Sequence, residues 1–189
     1  VDKKSNPEEI PIDLVNYMDV YKSKDKKITS KIKFMKVTAK PSQIISNNLI
    51  KGDVLFTPSS ETEDDIGHSA VVFETLKKTL HSYHLLRLRF NNNSALTLDY
   101  KRYLFNNNYV LNQFSKNCVG TTRAILGLDV FREIFCIIPS KEEQNFITNF
   151  LDEKTINLNR LLERDKQLIE LLKEKRIAVI NHVVTKGLN

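Results

Sequence analysis

The feature that most constrains the fold is an uninterrupted stretch of helix-forming sequence towards the C-terminus. After Pro139, neither proline nor glycine occurs until Gly187, so no residue in between breaks helical hydrogen bonding. Apolar side chains recur at heptad spacing through this stretch, which predicts one long helix from Glu142 to about His182. At about 1.5 Å per residue, the part from Gln144 to His182 spans roughly 58 Å, more than the diameter of a domain of this size.

The apolar row on this helix predicts where another helix packs. With Leu151 at heptad position a, the residues expected at a partner-helix interface are Leu151, Leu158, Leu161, Leu162, Leu168, Ile169, Leu172 and Val179. Charged residues occupy the other faces, with Glu163 and Lys166 spaced to pair. An uncovered row of this length predicts pairing with a helix of a second copy or of another protein; the alternative is a helix folded back over its own domain. Asp165, in the a row, is more typical of a residue that sets register than of a catalytic group.

The rest of the chain predicts one globular domain, so we expect a domain over residues 1–139 and the helix over 140–189. No apolar run is long enough for a membrane span, and the first residues are too polar for a signal peptide. We therefore expect a cytoplasmic protein without membrane association. The two cysteines, Cys118 and Cys136, are too few for a disulfide framework and are more typical of buried thiols.

The first domain contains both strand and helix patterns. Strands are predicted over residues 12–17, 33–38, 53–57, 69–73, 83–90 and 134–138. A helical region is predicted from about Leu98 to Phe114, capped by Thr97 or Asp99 and interrupted by asparagines at 106–108. The predicted fold class is therefore α+β: a mixed α/β domain followed by a long, coiled-coil-forming C-terminal helix.

Positive charge is concentrated in one part of this domain. The chain carries a net charge of +6, and the helical segment is nearly neutral. Between residues 22 and 40 there is one acid, Asp25, against these lysines: Lys22, Lys24, Lys26, Lys27, Lys31, Lys33, Lys36 and Lys40. Such an excess is typical of a surface that binds a polyanion, although lysines also keep loops and strand edges soluble.

The sequence predicts no catalytic residue, no cofactor and no metal site. Its five glycines are too dispersed for a phosphate-cradling loop. His81 and His84 are three apart, a spacing that on a strand would send them to opposite faces, and neither cysteine is at zinc-finger spacing from them. The acids between Glu61 and Asp65 could hold Mg²⁺ for a nuclease, but their Ser/Thr-rich turn favours a capping role.

Arg123 is a candidate for contact with nucleic acid. It follows Gly120, Thr121 and Thr122, and an arginine beside a glycine turn and two hydroxyls can hold a phosphate or contact a guanine edge. The alternative is an ion pair with the acidic turn at 61–65.

Segments spread over most of the chain resemble the specificity subunit of type I restriction–modification enzymes. They include VDKK (1–4), KGDVLFT (51–57), SETEDDIG (60–67), YHL (83–85) and GTTR (120–123). The join between domain and helix, IPSKEEQ (138–144), and the later LIELLKEKR (168–176) resemble a target-recognition domain running into the family's spacer helix. Pro58 and Ser140 depart from the usual pattern beside two of these motifs.

The resemblance implies a non-catalytic subunit that reads double-stranded DNA for methyltransferase (M) and restriction (R) subunits. Family members usually have two recognition domains and two spacer helices packed antiparallel; one of each here implies a half subunit that pairs with itself or with a second half. The basic stretch and the matched segments together give the expected DNA-binding residues. These are Lys22, Lys24, Lys26, Lys27, Lys31, Lys33, Thr57, Ser59, Ser60, Glu61, Tyr83, His84, Thr122 and Arg123. The lysines would contact phosphates, while polar side chains read bases.

Two other classes of function are compatible with the residues alone. One is a metal-dependent DNA nuclease that uses the acidic cluster Glu61–Asp65. The other is a coiled-coil scaffold whose basic domain binds nothing. Magnesium-dependent DNA cleavage would identify the nuclease, and binding of specific over random duplexes would exclude the scaffold.

Overall fold

A computed structural model describes residues 5–91 and 95–187, so the matched segment 1–4 lies outside the described residues. The chain divides into two compact units, Val1–Asn145 and Phe146–Asn189. The first unit is mixed α/β and the second belongs to a long C-terminal helix, as predicted. None of the described helices has both the length and the hydropathy to cross a membrane.

The elements follow one another along the chain in a mixed order. The strands are β1 (Ile10–Val15), β2 (Lys27–Ile28), β3 (Met35–Ala39), β4 (Asn48–Leu49), β5 (Val54–Phe56), β6 (Ser59–Ser60), β7 (Ser69–Val72), β8 (Leu76–His81), β9 (Leu86–Leu88) and β10 (Ala124–Ile125). The helices are α1 (Tyr17–Tyr21), α2 (Pro41–Ser46), α3 (Leu98–Leu104), α4 (Asn108–Asn117), α5 (Leu128–Glu133) and α6 (Lys141–Lys186), with a 3₁₀ turn at Glu63–Asp65.

The described strands form three sheets. One has the order β3-β1-β8-β4, in which β1 runs antiparallel to β3 and parallel to β8. Another has the order β2-β7-β5-β9, with β2 parallel to β7 and β5 antiparallel to both of its neighbours. The third is the short pair β6–β10. The all-apolar β5 and the fully buried β7 lie in the middle of their sheet, which explains their continuous apolar runs.

Phenylalanine rings join the second sheet to the helices. The ring of Phe56, on β5, lies 5.3 Å from that of Phe105, 5.9 Å from Phe114 and 5.1 Å from Phe131. Gly67 permits this packing, because its φ is +80° and a Cβ there would overlap the Phe114 ring. The cluster fixes the end of β5 from which the chain continues into Thr57 and β6.

The structure confirms most predicted elements and corrects several. The first predicted strand is displaced: Asn16 donates its amide to the Asp19 carboxylate at 2.7 Å, so Tyr17 begins α1. Thr97, not Asp99, caps α3, accepting a bond from the Tyr100 amide. The asparagines at 106–108 do separate α3 from α4.

The predicted strand over 134–138 is wrong, because this extended segment joins no sheet. The side chain of Gln113, on α4, accepts a bond from the Phe135 amide at 2.8 Å and donates to the Phe135 carbonyl at 3.0 Å. One side-chain amide therefore takes the place of a neighbouring strand. The prediction for 83–90 was also too long, since only Leu86–Leu88 pairs.

Helix α6 begins in the first unit, where a buried glutamine holds its first turn. The Gln144 side chain accepts a bond from the Thr97 amide at 2.7 Å and donates to the carbonyls of Ala95 and Pro139, each at 2.9 Å. The second unit is helix throughout its described part up to Lys186, and every residue from 153 to 187 is exposed.

Candidate nucleic-acid interface

Arg123 lies on a hairpin of the first unit. Backbone bonds of 3.0 and 2.8 Å join Val119 and Ile125, while Ala124 and Ile125 pair with Ser60 and Ser59 of β6. Gly120 is needed at the turn: its φ is +119°, and a Cβ there would collide with the Arg123 carbonyl oxygen. The sequence GTTR therefore builds a tight turn that leaves Thr122 and Arg123 exposed.

The hairpin separates two concave surfaces, and Arg123 lines both. The smaller, which we call the tyrosine cleft, has a volume of about 350 Å³ and is lined by Tyr17, Tyr21, Ser60, Glu61, Thr62, Asp65 and Arg123. The larger, which we call the apolar groove, has a volume of about 610 Å³ and is lined by Pro58, Ser59, Tyr83, His84, Leu85, Leu86, Arg87, Arg123, Ile125, Leu126 and Leu128. Six of the predicted DNA-binding residues thus come from three separate segments to one surface: Ser59, Ser60, Glu61, Tyr83, His84 and Arg123.

A hydrogen-bond network fixes the floor of the tyrosine cleft. The Tyr21 hydroxyl donates to Asp65 Oδ2 at 2.6 Å, and His68 Nε2 lies 2.7 Å from the other carboxylate oxygen. The bond from Tyr21 lowers the pKa of Asp65 and raises that of Tyr21. Tyr17 stacks on Tyr21 and donates to the Ser59 carbonyl at 2.9 Å; burial raises the pKa of Tyr17. Asp65 remains ionised at neutral pH, and Tyr21 and His68 already bind its two carboxylate oxygens.

In the described part of the chain, the guanidinium of Arg123 takes part in neither a hydrogen bond nor an ion pair. The alternative expected from the sequence, an ion pair between Arg123 and the acidic turn at 61–65, is not formed among the described residues; within that turn, Tyr21 and His68 bind the Asp65 carboxylate. Arg87, in the apolar groove, differs: it donates to the Asn48 carbonyl at 2.6 Å. Of these two arginines, Arg123 is the one whose donors face solvent.

Aromatic and aliphatic side chains give the apolar groove its character. The Tyr83 ring is 64% exposed and lies 3.9 Å from the ring of His84. Ile125 and Leu128 are also exposed. His84 lies in the turn that follows β8, so the assumption that His81 and His84 share one strand is wrong.

The lysine stretch does not form one continuous surface. Lys22 and Lys24 are exposed directly after Tyr21, at the end of the second sheet where β7 begins. Lys31 and Lys33 follow β2, which runs parallel to β7, so they lie beyond the opposite end. There the Ser30 amide and hydroxyl bind Glu74 at 2.7 and 2.8 Å.

Two lysines in the middle of this stretch have local roles. Lys27 lies 3.5 Å from Asp99 and above the Phe73 ring at 4.5 Å. Lys26 has a left-handed backbone with φ of 56° and is half-buried, and burial lowers its pKa. These contacts leave Lys22 and Lys24 as the lysines freest to meet a ligand beside the tyrosine cleft.

Two of the predicted DNA-binding hydroxyls are not accessible. Thr57 is fully buried, and its hydroxyl donates to the His68 carbonyl at 3.3 Å. Ser60 is also buried and pairs with Ala124 through its backbone. Thr57 therefore offers no donor to a ligand, while Ser60, on the wall of the tyrosine cleft, holds the hairpin through its backbone pairing.

Sequence reasoning did not assign Tyr17, Tyr21, Arg87, Ile125 or Leu128 to this surface. Tyr17 and Tyr21 are four apart, the spacing at which helical side chains stack, and this signal could have found them. Arg87, Ile125 and Leu128 carried no such signal, because their place depends on the pairing of β6 with β10 and of β5 with β9.

The acidic cluster has no arrangement typical of a metal site. Asp65 is bound by Tyr21 and His68, while Glu61, Glu63 and Asp64 are exposed. Across residues 5–91 and 95–187, no three potential metal-ligating side chains of His, Cys, Asp or Glu lie together. The geometry therefore gives the nuclease alternative no support.

On α6, seven of the eight predicted interface residues are exposed, namely Leu158, Leu161, Leu162, Leu168, Ile169, Leu172 and Val179, and Leu151 is half-buried. The predicted Glu163–Lys166 pair is present at 2.9 Å. An exposed apolar surface of this extent is typical of a face that meets another protein.

The fold resembles solved structures of type I restriction–modification systems. A chain from a structure of the complex assembly and conformational transition of the type I R-M system matches with a TM-score of 0.65, at 16% identity over 99% of this chain and 43% of its own length. The S subunit of the system from M. genitalium matches at 16% identity over 100% of this chain and 45% of its own, with a TM-score of 0.47. The chain thus spans less than half the length of these structures, and no protein of curated function matches it significantly.

The sequence itself matches a family model over residues 14–171. This match begins at the end of β1 and covers all of the residues that line the two concave surfaces and most of α6. By this match, the chain belongs to the family of type I restriction modification DNA specificity domains.

Proposed function

We propose that this chain is a half specificity subunit that reads one half of a bipartite site in double-stranded DNA and has no catalytic activity of its own. Its recognition domain supplies sequence discrimination, and α6 pairs with a second copy or a second half subunit. The assembly docks methyltransferase and restriction subunits, which supply the chemistry. Family membership and the surface around Arg123 support this proposal.

The proposal rests mainly on Arg123, whose guanidinium makes no hydrogen bond or ion pair in the described part of the chain. Arg123 lies on a hairpin that is held in place by its pairing with β6. Arginine makes two parallel hydrogen bonds to the O6 and N7 atoms of guanine in the major groove, the commonest specific contact with a base. Because β6 and the Gly120 turn hold the hairpin, its backbone loses little conformational entropy when the Arg123 guanidinium binds a base. Exposed Glu61 adds an acceptor, which suits the amino group of cytosine.

The first test compares binding of wild type and Arg123→Ala to a duplex selected by the wild type from random sequences, and to unselected DNA. We expect Arg123→Ala to cost about 1–3 kcal/mol on the selected site and much less on unselected DNA. Arg132→Ala is the matched control, because Arg132 is an exposed arginine that pairs with Asp129 outside both concave surfaces.

Other results identify other roles for Arg123. Equal weakening on both DNAs indicates a phosphate contact and contradicts base reading. A loss of thermal stability with unchanged discrimination indicates a structural role. Arg123→Lys separates the two chemical modes, because lysine retains the charge but not the paired donors.

The subunit role has its own test. Adding the chain to methyltransferase subunits from the same system should direct methylation to the selected site, and omitting the chain should abolish it. Magnesium-dependent cleavage of DNA by the pure chain would contradict the non-catalytic assignment.

A further inference from the structure

The segment that follows the Gly120 turn presents an aliphatic surface beside Arg123. The side chains of Arg123, Ile125 and Leu128 are exposed, whereas Ala124 and Leu126, which lie between them, are buried. From position 124 to position 128 the side chains are those of Ala, Ile, Leu, Gly and Leu, so none of them donates or accepts a hydrogen bond. We call the exposed pair, Ile125 and Leu128, the aliphatic strip.

Backbone pairing fixes the position of the aliphatic strip. Ile125 pairs with Ser59 of β6, and two backbone bonds of 2.8 and 3.0 Å join it to Val119. The next amide, that of Leu126, donates to the Pro58 carbonyl at 2.8 Å. The strip is therefore held by paired backbone where it lines the apolar groove.

The apolar groove has the charge of a surface that receives an anionic ligand. Among the described residues that line it there are two arginines, Arg87 and Arg123, and no aspartate or glutamate. Arg87 is held at the groove by its bond to the Asn48 carbonyl at 2.6 Å. Aliphatic side chains between two arginines suit the major groove of DNA, where apolar methyl groups lie within a polyanion.

The spacing of Arg123 and Ile125 matches the stacking of base pairs. An extended chain rises about 3.3 Å per residue, so two residues span about 6.6 Å. Base pairs follow one another about every 3.4 Å, so the same distance covers about two steps of a duplex. With the Arg123 guanidinium on the O6 and N7 atoms of a guanine, Ile125 faces the major-groove edge of a base pair one or two steps away.

An aliphatic surface discriminates between bases because it cannot form hydrogen bonds. Adenine, guanine and cytosine present N7, O6 or amino groups in the major groove, and these groups lose hydrogen bonds to water when they pack against Ile125 and Leu128. Thymine presents a 5-methyl group there, and burying a methyl group against aliphatic carbon is favourable. The aliphatic strip therefore favours thymine.

We propose that the apolar groove binds the 5-methyl group of a thymine one or two base pairs from the guanine that Arg123 contacts, and that Ile125 and Leu128 determine this preference. The occupant of the groove is thus the edge of a base pair in double-stranded DNA. This proposal rests on the DNA-recognition part of the proposed function and adds a second, apolar position to the half site.

The first experiment is a methyl scan with the full chain and the duplex selected by the wild type. Each thymine is replaced in turn by deoxyuridine, which pairs with adenine but lacks the 5-methyl group. We expect one replacement, within two base pairs of the guanine at which Arg123→Ala loses discrimination, to weaken binding about fourfold, as for one buried methyl group at about 0.8 kcal/mol. When that thymine is exchanged for cytosine, 5-methylcytosine should bind more tightly than cytosine by a similar factor.

The second experiment connects the methyl effect to the aliphatic strip. In Ile125→Ala and in Leu128→Ala, the ratio of the affinities for the thymine and deoxyuridine duplexes should fall towards one, while discrimination at the guanine remains. Ile45→Ala is the matched control and should keep the wild-type ratio, because Ile45 is an aliphatic residue of α2, 77% exposed and outside the groove. An unfolded fraction lowers both affinities equally, so the ratio stays informative even for a destabilised variant.

Three results would overturn the proposal: a selected site with no thymine within two base pairs of that guanine, no methyl effect at such a thymine, or a methyl effect that both Ile125→Ala and Leu128→Ala leave unchanged. An unchanged ratio together with weaker binding of methyltransferase subunits by Leu128→Ala would assign the groove to a protein partner instead.

DNA selection by the wild-type chain separates this failure from failure of the proposed function. Selective binding with any of these results rejects the thymine contact alone, whereas a chain that selects no duplex rejects the proposed function and the thymine contact with it. A methyl effect that depends on Ile125 and Leu128, without a guanine that depends on Arg123, supports the thymine contact and rejects the guanine contact.

Discussion

At the scale of single residues, local contacts divide the charged side chains of the domain into those that support the fold and those that face outwards. Arg89 makes two bonds of 2.7 Å to the buried Asp53 carboxylate. Buried Lys101 donates to the Gly52 carbonyl at 3.0 Å and lies over the Phe90 ring. Such residues contribute to the net charge of +6 but not to a binding surface, so net charge overstates the capacity to bind DNA.

Asp65 gives a prediction about acid stability. Its pKa is lowered in the folded chain, chiefly by the bond from Tyr21, relative to an ordinary value of 3.8. A lowered carboxyl pKa contributes stability that is present above the unfolded pKa and lost as the pH falls through the folded one. Tyr21→Phe should therefore be less stable than wild type at pH 7, with the difference shrinking as the pH falls below the ordinary Asp pKa towards the lowered pKa of the folded chain.

Urea denaturation across pH 3–8 checks this prediction, with Tyr109→Phe as the control, since Tyr109 is an exposed tyrosine on α4. A difference between wild type and Tyr21→Phe that stays the same from neutral to acid pH would show that the bond to Asp65 is not the cause.

At the scale of elements, two glutamine side chains form hydrogen bonds with backbone groups of segments that are outside the sheets. The segment after α5 is extended but unpaired, and Gln113 bonds both backbone groups of Phe135. Similarly, Gln144 satisfies groups of Ala95, Thr97 and Pro139 at the start of α6. Each glutamine replaces several backbone bonds, which is why the adjoining segments need no sheet partner.

Gln113→Met keeps the volume of the side chain and removes both bonds, so we expect a loss of about 1–3 kcal/mol in the free energy of unfolding. Hydrogen exchange should show the Phe135 amide losing protection. Gln113→Glu keeps an acceptor and should retain most of that protection at neutral pH. The same replacement at exposed Asn112, Asn112→Met, is the control; an equal effect there would mean that the paired bonds are unimportant.

At the scale of the whole molecule, the distribution of charge matters more than its sum. Lys22 and Lys24 are exposed beside the tyrosine cleft, whereas Lys31 and Lys33 are exposed beyond the other end of β7. If DNA lies across the hairpin that carries Arg123, only the first pair is placed to meet its phosphates.

We therefore expect Lys22→Gln with Lys24→Gln to weaken binding to all duplexes alike and to reduce the salt slope of log K by up to about two, roughly one for each phosphate that is no longer neutralised. Lys31→Gln with Lys33→Gln removes the same charge and should leave the slope near that of wild type. Titrations at several salt concentrations measure both. A larger effect from the second pair would place the DNA at the opposite end of the sheet.

Periodicity and motif order alone predicted much of this protein. The long helix followed from the absence of proline and glycine between Pro139 and Gly187 and from the apolar repeat, because helical geometry is local. Local pattern also predicted the buried strands β5 and β7, and the asparagines that separate α3 from α4. The exposed place of Arg123 was predictable in part, since Gly120 marks the turn that holds it.

Tertiary structure alone decided which of the candidate residues meet. The sequence did not predict strand β8, because two lysines interrupt its apolar pattern. The segment 134–138 was predicted as a strand, but its backbone bonds to the Gln113 side chain and not to another strand. Burial of Thr57 and the separation of Lys24 from Lys31 depend on which strands pair. Pairing joins residues far apart in sequence, so local pattern cannot specify it; the free energy of packing the whole domain does.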